Sequence, residues 1–325
     1  MKLSDGKPYT VFTHFLNKAT EVSVRKPQQN TYSNYLSSYS LPEEIKDRKK
    51  EDVYNQILGR YNSRIYSRGG RSQCLKILRN IRKYHDYLSK KDYPAQEATT
   101  GLSAHNKFGT CSIREIYYTI KENLGSSSPL LRQLYWRDFF IYVTYHFPYV
   151  FKQPFQLKFA KLKWRNDPKK FKLWCNGKTG FPIVDAGMRQ LNMTGFMHNR
   201  VRLIVASFLA KDLHLDWRLG ERYFAEKLLD YDPCVNNGNW QWAASTGCDS
   251  QPYVRIFNPW LQQKKFDPQC AYIKKFIPEL MHLPPKFIHE LYTNSRPLDQ
   301  ELNYPRPIVD HKVESNIAKS HYAFN

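Results

Sequence analysis

Hydrophobic positions recur with a helical period along nearly the whole chain. In "SIREIYYTIKENLG", Ser112 to Gly125, the residues Ile113, Ile116, Tyr117 and Ile120 fall on one stripe. Ser112 and Glu115 have the spacing of a capping box, which satisfies backbone N–H groups that a helix start leaves free, and Gly125 marks the stop. "LLRQLYWRDFFIYVTYHFP" predicts a strongly apolar helix ended by Pro148. From Phe196 to Leu213, the residues Val201, Ile204, Val205 and Phe208 predict one buried helix face. Asn199 and Arg202 fall on another side, with Leu203 beside them. "WRLGERYFAEKLLDYDP" predicts a further helix, closed by Pro233. Period-two alternation with turn pairs is nearly absent, so the predicted fold class is mostly α.

Two stretches break the helical text. "SVRKPQQNTYSNYLSSYSLPEEIKDRKKED", Ser23 to Asp52, is polar and charged without a sustained period and predicts a loop wrapping the surface. "NYPRPIVDH", Asn303 to His311, is proline-rich and predicts an extended segment lying against the domain. No internal repeat or low-complexity block is present.

Composition narrows the function classes. With 325 residues, 41% hydrophobic and 15% aromatic, the chain can bury a substantial core. It has no apolar run long enough for a membrane helix and no signal-peptide pattern at its start, so an intracellular, soluble protein is expected. Six dispersed cysteines without a CxxC fit reduced thiols and no structural metal. Fifty Lys and Arg against 29 Asp and Glu give a formal charge of +21. Such an excess points to a polyanion partner, most often nucleic acid, or to a generally basic surface, and composition does not separate the two.

One dodecamer carries candidate chemistry. "NNGNWQWAASTG", Asn236 to Gly247, sets two tryptophans two positions apart among amides, glycines and small residues. On a helix, residues two apart point about 200° away from one another. Trp240 and Trp242 then face opposite sides, either as two core rings or with one ring inward and the other on a different surface.

With its flanks, "LLDYDPCVNNGNWQWAASTGCDSQPYVRIFNP", and with "GKTGFPIVDAGMRQLNMTGFMHNRVRLIVASFLAKDLHLDWRLGERYF", this stretch resembles the helical FAD-binding domain of the photolyase and cryptochrome family. Within that family it is most similar to the class I photolyases that repair cyclobutane pyrimidine dimers. The resemblance runs from "GKPYTVFT" to "YPRPIVDHK". It implies an all-helical FAD-binding catalytic domain over residues 86–325. Residues 1–85 would hold the remnant of an inter-domain linker and the first helices of that domain.

The cofactor implied is FAD, reduced and folded into a U. By resemblance Tyr87 and the turn "TTGLS" (Thr99, Thr100, Leu102, Ser103) hold its phosphates, and hydroxyls with free N–H groups at a helix start suit a diphosphate. Gly101 stands where many photolyases carry an arginine, which implies looser phosphate binding. Arg137, Asn199, Arg202, Asp230, Asp232 and Asn236 match further cofactor positions, with Asn236 facing the flavin N5. Arg202 with Asp230 resembles the ion pair beside the ring, and equally reads as an ordinary buried salt bridge. Trp240, Trp217 and Trp164 match the inner, middle and outer members of the family's electron-transfer chain.

On the substrate side, Trp242 and Trp136 match the walls of a cavity suited to two thymines flipped from a duplex. Gln133, Asn199, Arg200, Leu203 and Arg255 match positions around the lesion or its phosphates, though the two arginines also read as solvated surface residues. Gln133 replaces the glutamate usual in dimer photolyases, and Phe196 replaces a common tryptophan. The (6-4) branch carries glutamine at the Gln133 position but relies on a histidine pair, matched here by Asn199 and Leu203, so cyclobutane dimers are favoured.

The chain starts at what resembles the last part of the family's N-terminal α/β domain. The α/β half is then a separate polypeptide, or the gene is truncated, or this is a fragment, and no antenna chromophore is expected within this chain. The implied activity is blue-light-driven, FAD-dependent carbon–carbon bond cleavage by a monomer acting on UV-damaged DNA, with a separate α/β antenna polypeptide as a further implied partner. The alternatives are a non-repairing cryptochrome-like photoreceptor, a (6-4) photolyase, or a half-protein that binds without catalysis.

Overall fold

The computed structural model describes residues 6–28, 62–249, 254–292 and 302–323, with positions 3, 31 and 33. The loop predicted over 23–52 lies mostly outside the described residues. The fold is helical, and among the described residues the β pairing is one isolated bridge between Arg165 and Leu215. No described helix is long and apolar enough to cross a membrane.

In chain order the helices include α1 (Phe12–Thr20), α2 (Arg71–Arg79), α3 (Leu102–Phe108), α4 (Ile113–Leu124) and α5 (Pro129–His146). After them come α6 (Pro182–Thr194), α7 (Asn199–Ser207), α8 (Trp217–Lys227), α9 (Pro233–Ala243) and the C-terminal α10 (His311–Ala323). The core centres on α6 and α7, with Ile183, Val184, Met188, Val201, Ile204 and Val205 at most 1% exposed.

Local signals explain most boundaries. Ser112 Oγ accepts from Arg114 N at the start of α4, and Glu115 reaches back to the Ser112 backbone. Ser128 Oγ accepts from Leu130 N at the start of α5, where Pro129 occupies a position whose N–H would go unpaired anyway. Two expectations shift. The helix predicted from Phe196 begins at Asn199, because Gly195 ends α6 at φ 67° and the His198 ring caps the next helix by accepting from Arg200 N. It then widens into a π turn at Phe208–Asp212. Pro233 does not close α8, which ends at Lys227; it opens α9, with Asp232 Oδ1 accepting from Cys234 N and Val235 N.

The proline-rich tail lies against the domain as predicted. Ile308 N donates to Thr179 O, and Tyr304 OH donates to the fully buried Asp185 carboxylate. Gly180 permits this approach: a Cβ there would sit 2.3 Å from the Arg306 carbonyl carbon.

Candidate functional site

A cavity of about 600 Å³ opens between the turn before α3 and helices α5, α7 and α9. That size is within the range of cofactor and ligand pockets. The turn brings Thr99, Thr100, Gly101, Leu102 and Ser103 to its wall, with Tyr87 nearby. Helix α5 brings Gln133, Trp136 and Arg137, and α7 brings Asn199, Arg202 and Leu203. The α8–α9 connection and α9 bring Asp230, Asp232, Asn236, Trp240 and Trp242. The polar side of α7, noted in the sequence as facing away from the core, is therefore a cavity wall.

The charged pair is well made. Arg202 Nη2 lies 2.8 and 3.1 Å from the two Asp230 oxygens, and Arg202 Nε donates to Met197 O at 2.7 Å. With the Asp230 side chain 5% exposed, the pair is largely removed from water and fixed in orientation. Asn236 Nδ2 donates to Glu221 O at 3.0 Å, a bond in which the amide oxygen takes no part. Burial pushes the Glu221 carboxyl up, and the Asn237 and Asn236 amides oppose that shift. Burial likewise raises the Tyr87 phenol to about 12.

At the turn, Gly101 takes φ 67° and Thr100 Oγ1 accepts from Leu102 N. Tyr66 fills the space beside it, stacked on Phe196 with centroids 3.8 Å apart and planes 6° from parallel. The two departures noted at Gly101 and Phe196 thus meet at one aromatic ring. Asn106, on α3, lines the cavity, and its side-chain oxygen is buried without a partner among the described residues. An orphan acceptor, an arginine–carboxylate pair and three hydroxyls (Thr99, Thr100, Ser103) form a donor and acceptor set that fits a flavin dinucleotide.

The two tryptophans of α9 differ as the helix geometry requires, although both touch the cavity. Trp240 is 3% exposed and meets Phe224 edge-on at 5.0 Å and Trp174 at 6.2 Å. Trp242 is half-buried, and its Nε1 donates to Asp249 O at 3.2 Å. Trp217 does not line the cavity; it is 1% exposed in the first turn of α8, which packs on α9. Trp164, half-buried, precedes the residue bridged to Leu215, so the backbone brings it beside the segment that enters Trp217.

Gln133 is exposed at the cavity edge, and Arg137 pairs with Asp138 at 3.0 Å. Arg200 and Arg255 are not in the lining. Arg200 pairs with Asp92 at 2.8 Å and covers the Phe266 ring. Burial would raise Asp92, but Arg200 and Lys91 hold it below its ordinary value. The Arg255 guanidinium lies 5.0 Å from the Phe257 ring and 6.0 Å from that of Trp242.

The cavity also contains residues that sequence patterns had not singled out: Asn106, His198, Phe224 and Asp249. Burial drives His198 down to about 4, so the ring is neutral at physiological pH. Its place just before α7 in "MHNR" was the available signal.

Residues 130–323 match the family model described as the FAD binding domain of DNA photolyase. A deoxyribodipyrimidine photo-lyase of Alkalihalophilus pseudofirmus is 40% identical, covering 98% of this chain and 68% of the relative. One of Vibrio cholerae is 47% identical over 72% of this chain and 51% of the relative. The solved archaeal photolyase of Sulfolobus tokodaii superposes with a TM-score of 0.82 at 41% identity, over 98% of this chain and 68% of that one. The chain therefore spans about half to two thirds of the length of these relatives. With the helical fold and the cavity, these matches establish that the chain belongs to the photolyase and cryptochrome family, through its FAD-binding domain.

Proposed function

We propose that this protein is a light-dependent lyase that splits cyclobutane pyrimidine dimers in DNA, with reduced, U-shaped FAD in the cavity. The observation that carries this reading is the meeting, in one cavity, of the Arg202–Asp230–Asn236 set with two tryptophan walls, Trp136 and Trp242. The relatives named deoxyribodipyrimidine photo-lyase support it. Held beside Arg202, Asp230 and Asn236, reduced flavin would supply the light-driven electron-transfer chemistry that opens the ring.

The chain's own residues do the rest. The basic surface attracts DNA phosphates without reading sequence. A dimer already has damaged stacking, so flipping it out costs less than flipping an intact pair. Trp136 and Trp242 stack its bases, Gln133 offers amide hydrogen bonds to a thymine edge, and Leu203 gives an apolar contact. Arg200 and Arg255 steady the flanking phosphates. Tyr87 and the Thr99–Ser103 turn hold the cofactor phosphates, with Arg137, Asn199 and Asp232 around the remaining polar edges. Arg202 and Asp230 fix charge beside the ring, and Asn236 presents its amide. Trp164, Trp217 and Trp240 pass reducing electrons inward from solvent. The absence of histidine at Asn199 and Leu203 favours a dimer of the class I kind over a (6-4) lesion. Direct absorption of blue light by the flavin would make an antenna chromophore dispensable for the reaction.

The test is dimer loss from a UV-irradiated thymine oligonucleotide with the purified chain, FAD-loaded and reduced, in blue light and in the dark. Light-dependent recovery of thymine supports the proposal. A flavin-loaded protein that binds the oligonucleotide and restores nothing in light overturns it in favour of a photoreceptor.

A further inference from the structure

Trp136 and Trp242 stand on different helices, α5 and α9, and neither helix alone sets the distance between the rings. A residue far away in the chain touches the supports of both. Phe12, the first residue of α1, is 1% exposed and lays its ring on Trp136 with centroids 3.5 Å apart and planes 6° from parallel. Phe139 closes the edge of this stack, meeting Phe12 at 5.7 Å and Trp136 at 5.8 Å, both nearly perpendicular. The Arg132 guanidinium lies 5.6 Å from the Phe12 ring centre.

The backbone of Phe12 reaches the opposite wall. Its N–H donates to Asp249 Oδ1 at 3.3 Å, and Asp249 O accepts from Trp242 Nε1 at 3.2 Å. A line of direct contacts therefore runs from the Trp136 ring through Phe12 and Asp249 to the Trp242 indole. Asp249 lines the cavity and holds φ 52°, a left-handed conformation uncommon outside glycine that persists where surrounding contacts over-determine it. Burial raises its carboxyl above the ordinary range, while the Phe12 N–H pulls the other way.

We propose that Phe12 and Asp249 are positioning residues that set the separation and attitude of the two tryptophan walls, fitting the cavity to a linked pair of bases. The inference rests on the reading of the cavity as a dimer site. An aromatic wall contributes most to stacking when it is already held in its bound orientation, because a loose ring must be ordered on binding. Truncating Phe12 leaves Trp136 without the ring stacked on it. Removing the Asp249 carboxyl frees the loop that holds the Trp242 indole, whereas Asp249→Asn keeps an acceptor oxygen for the Phe12 N–H.

The experiment uses the full chain loaded with reduced FAD as parent, Phe12→Ala, Phe12→Leu, Asp249→Ala and Asp249→Asn. Binding to an oligonucleotide with one thymine dimer is measured beside its undamaged counterpart, together with KM and kcat of light-driven repair. Phe12→Ala and Asp249→Ala should weaken dimer binding and raise KM about tenfold. Flavin content, kcat and undamaged-DNA binding should stay near parental values, and Phe12→Leu and Asp249→Asn should recover part of the loss. If Phe12→Ala does not fold, Phe12→Leu and Asp249→Ala decide. Folded, flavin-loaded variants with parental dimer affinity overturn the inference, as does equal weakening on damaged and undamaged DNA. A parent that does not discriminate the dimer overturns the functional reading and this inference with it, whereas a discriminating parent with unchanged variants overturns the inference alone.

Discussion

Gly220 sits on α8 where the Trp240 ring crosses it, and Gly220→Ala tests whether that close approach holds the ring in place. A Cβ on Gly220 would lie 2.2 Å from Trp240 Cη2, 2.6 Å from Cζ3 and 2.7 Å from Leu209 Cδ2. Carbon atoms pack comfortably at about 3.5 Å or more, so the ring or the helix must move by roughly 1.3 Å. The ring has little room, being 3% exposed and hemmed in by Phe224 and Trp174. Overpacking of this kind costs about 1–3 kcal/mol, and three simultaneous clashes place it near the upper end. Alanine recovers about 1 kcal/mol of helix propensity at the same position. The net loss is about 2 kcal/mol, which in a chain of this size lowers Tm by roughly 3 °C. Because Trp240 also lines the cavity, flavin retention and the rate of flavin photoreduction should fall together with Tm. Gly69→Ala is the control, since no atom of the described residues lies within 4 Å of a Cβ built there. Circular dichroism melting and flavin absorbance under blue light report both effects. A Gly220→Ala protein that melts at or above the parent temperature, with unchanged photoreduction, would refute the packing argument.

Three further outcomes are expected. Lys211 is fully buried, donates to Ser245 Oγ and Arg255 O, and is pushed down to about 7 by burial. Between about pH 7 and 10 the unfolded chain therefore binds a proton that the folded chain does not, so Lys211 makes stability rise with pH by up to about 1.4 kcal/mol per unit. Lys211→Met should remove that rise from urea midpoints taken at pH 7 and 9.5, and an unchanged slope would sink the assignment. Arg202→Met strands the buried Asp230 carboxylate and should cost about 3 kcal/mol along with flavin retention. Adding Asp230→Asn should restore part of that stability, which a simple sum of the two losses would contradict. Gln133→Glu, at the exposed cavity edge, should raise the yield of dimer repair per absorbed photon while changing stability by less than about 0.5 kcal/mol. An unchanged or lower yield would show that the carboxylate is not what the site lacks.

What could be read from the sequence depended on whether the deciding signal was local. Helix α4 carries its own punctuation, Ser112 to Gly125, and its bounds followed from it. Helix α5 was legible from its apolar run and its stop before Pro148, while its start at Pro129, capped by Ser128, came from the structure. Helix α7 starts later than its apolar period suggests because its cap is an imidazole, which the usual Ser, Thr, Asp and Asn rule does not flag. Pro233 is ambiguous by nature, since proline follows one helix as readily as it opens another, and the Asp232 cap decides the matter. The cavity face was half legible. Periodicity separated Asn199, Arg202 and Leu203 from the buried stripe of α7, and family resemblance supplied their candidate roles, but what they face comes from other helices. The supports of that face were not legible at all. The bond from Phe12 to Asp249 joins residues 237 positions apart, and no pattern within either segment encodes it. The same separation explains why the expectation of a linker remnant and first helices over residues 1–85 gave no place for α1, which packs on α5 and supports a cavity wall. The candidate ligand-facing residues stand in long ordered motifs that can be matched in sequence. Residues that hold those residues in place are specified pairwise across the fold, and only their contacts reveal them.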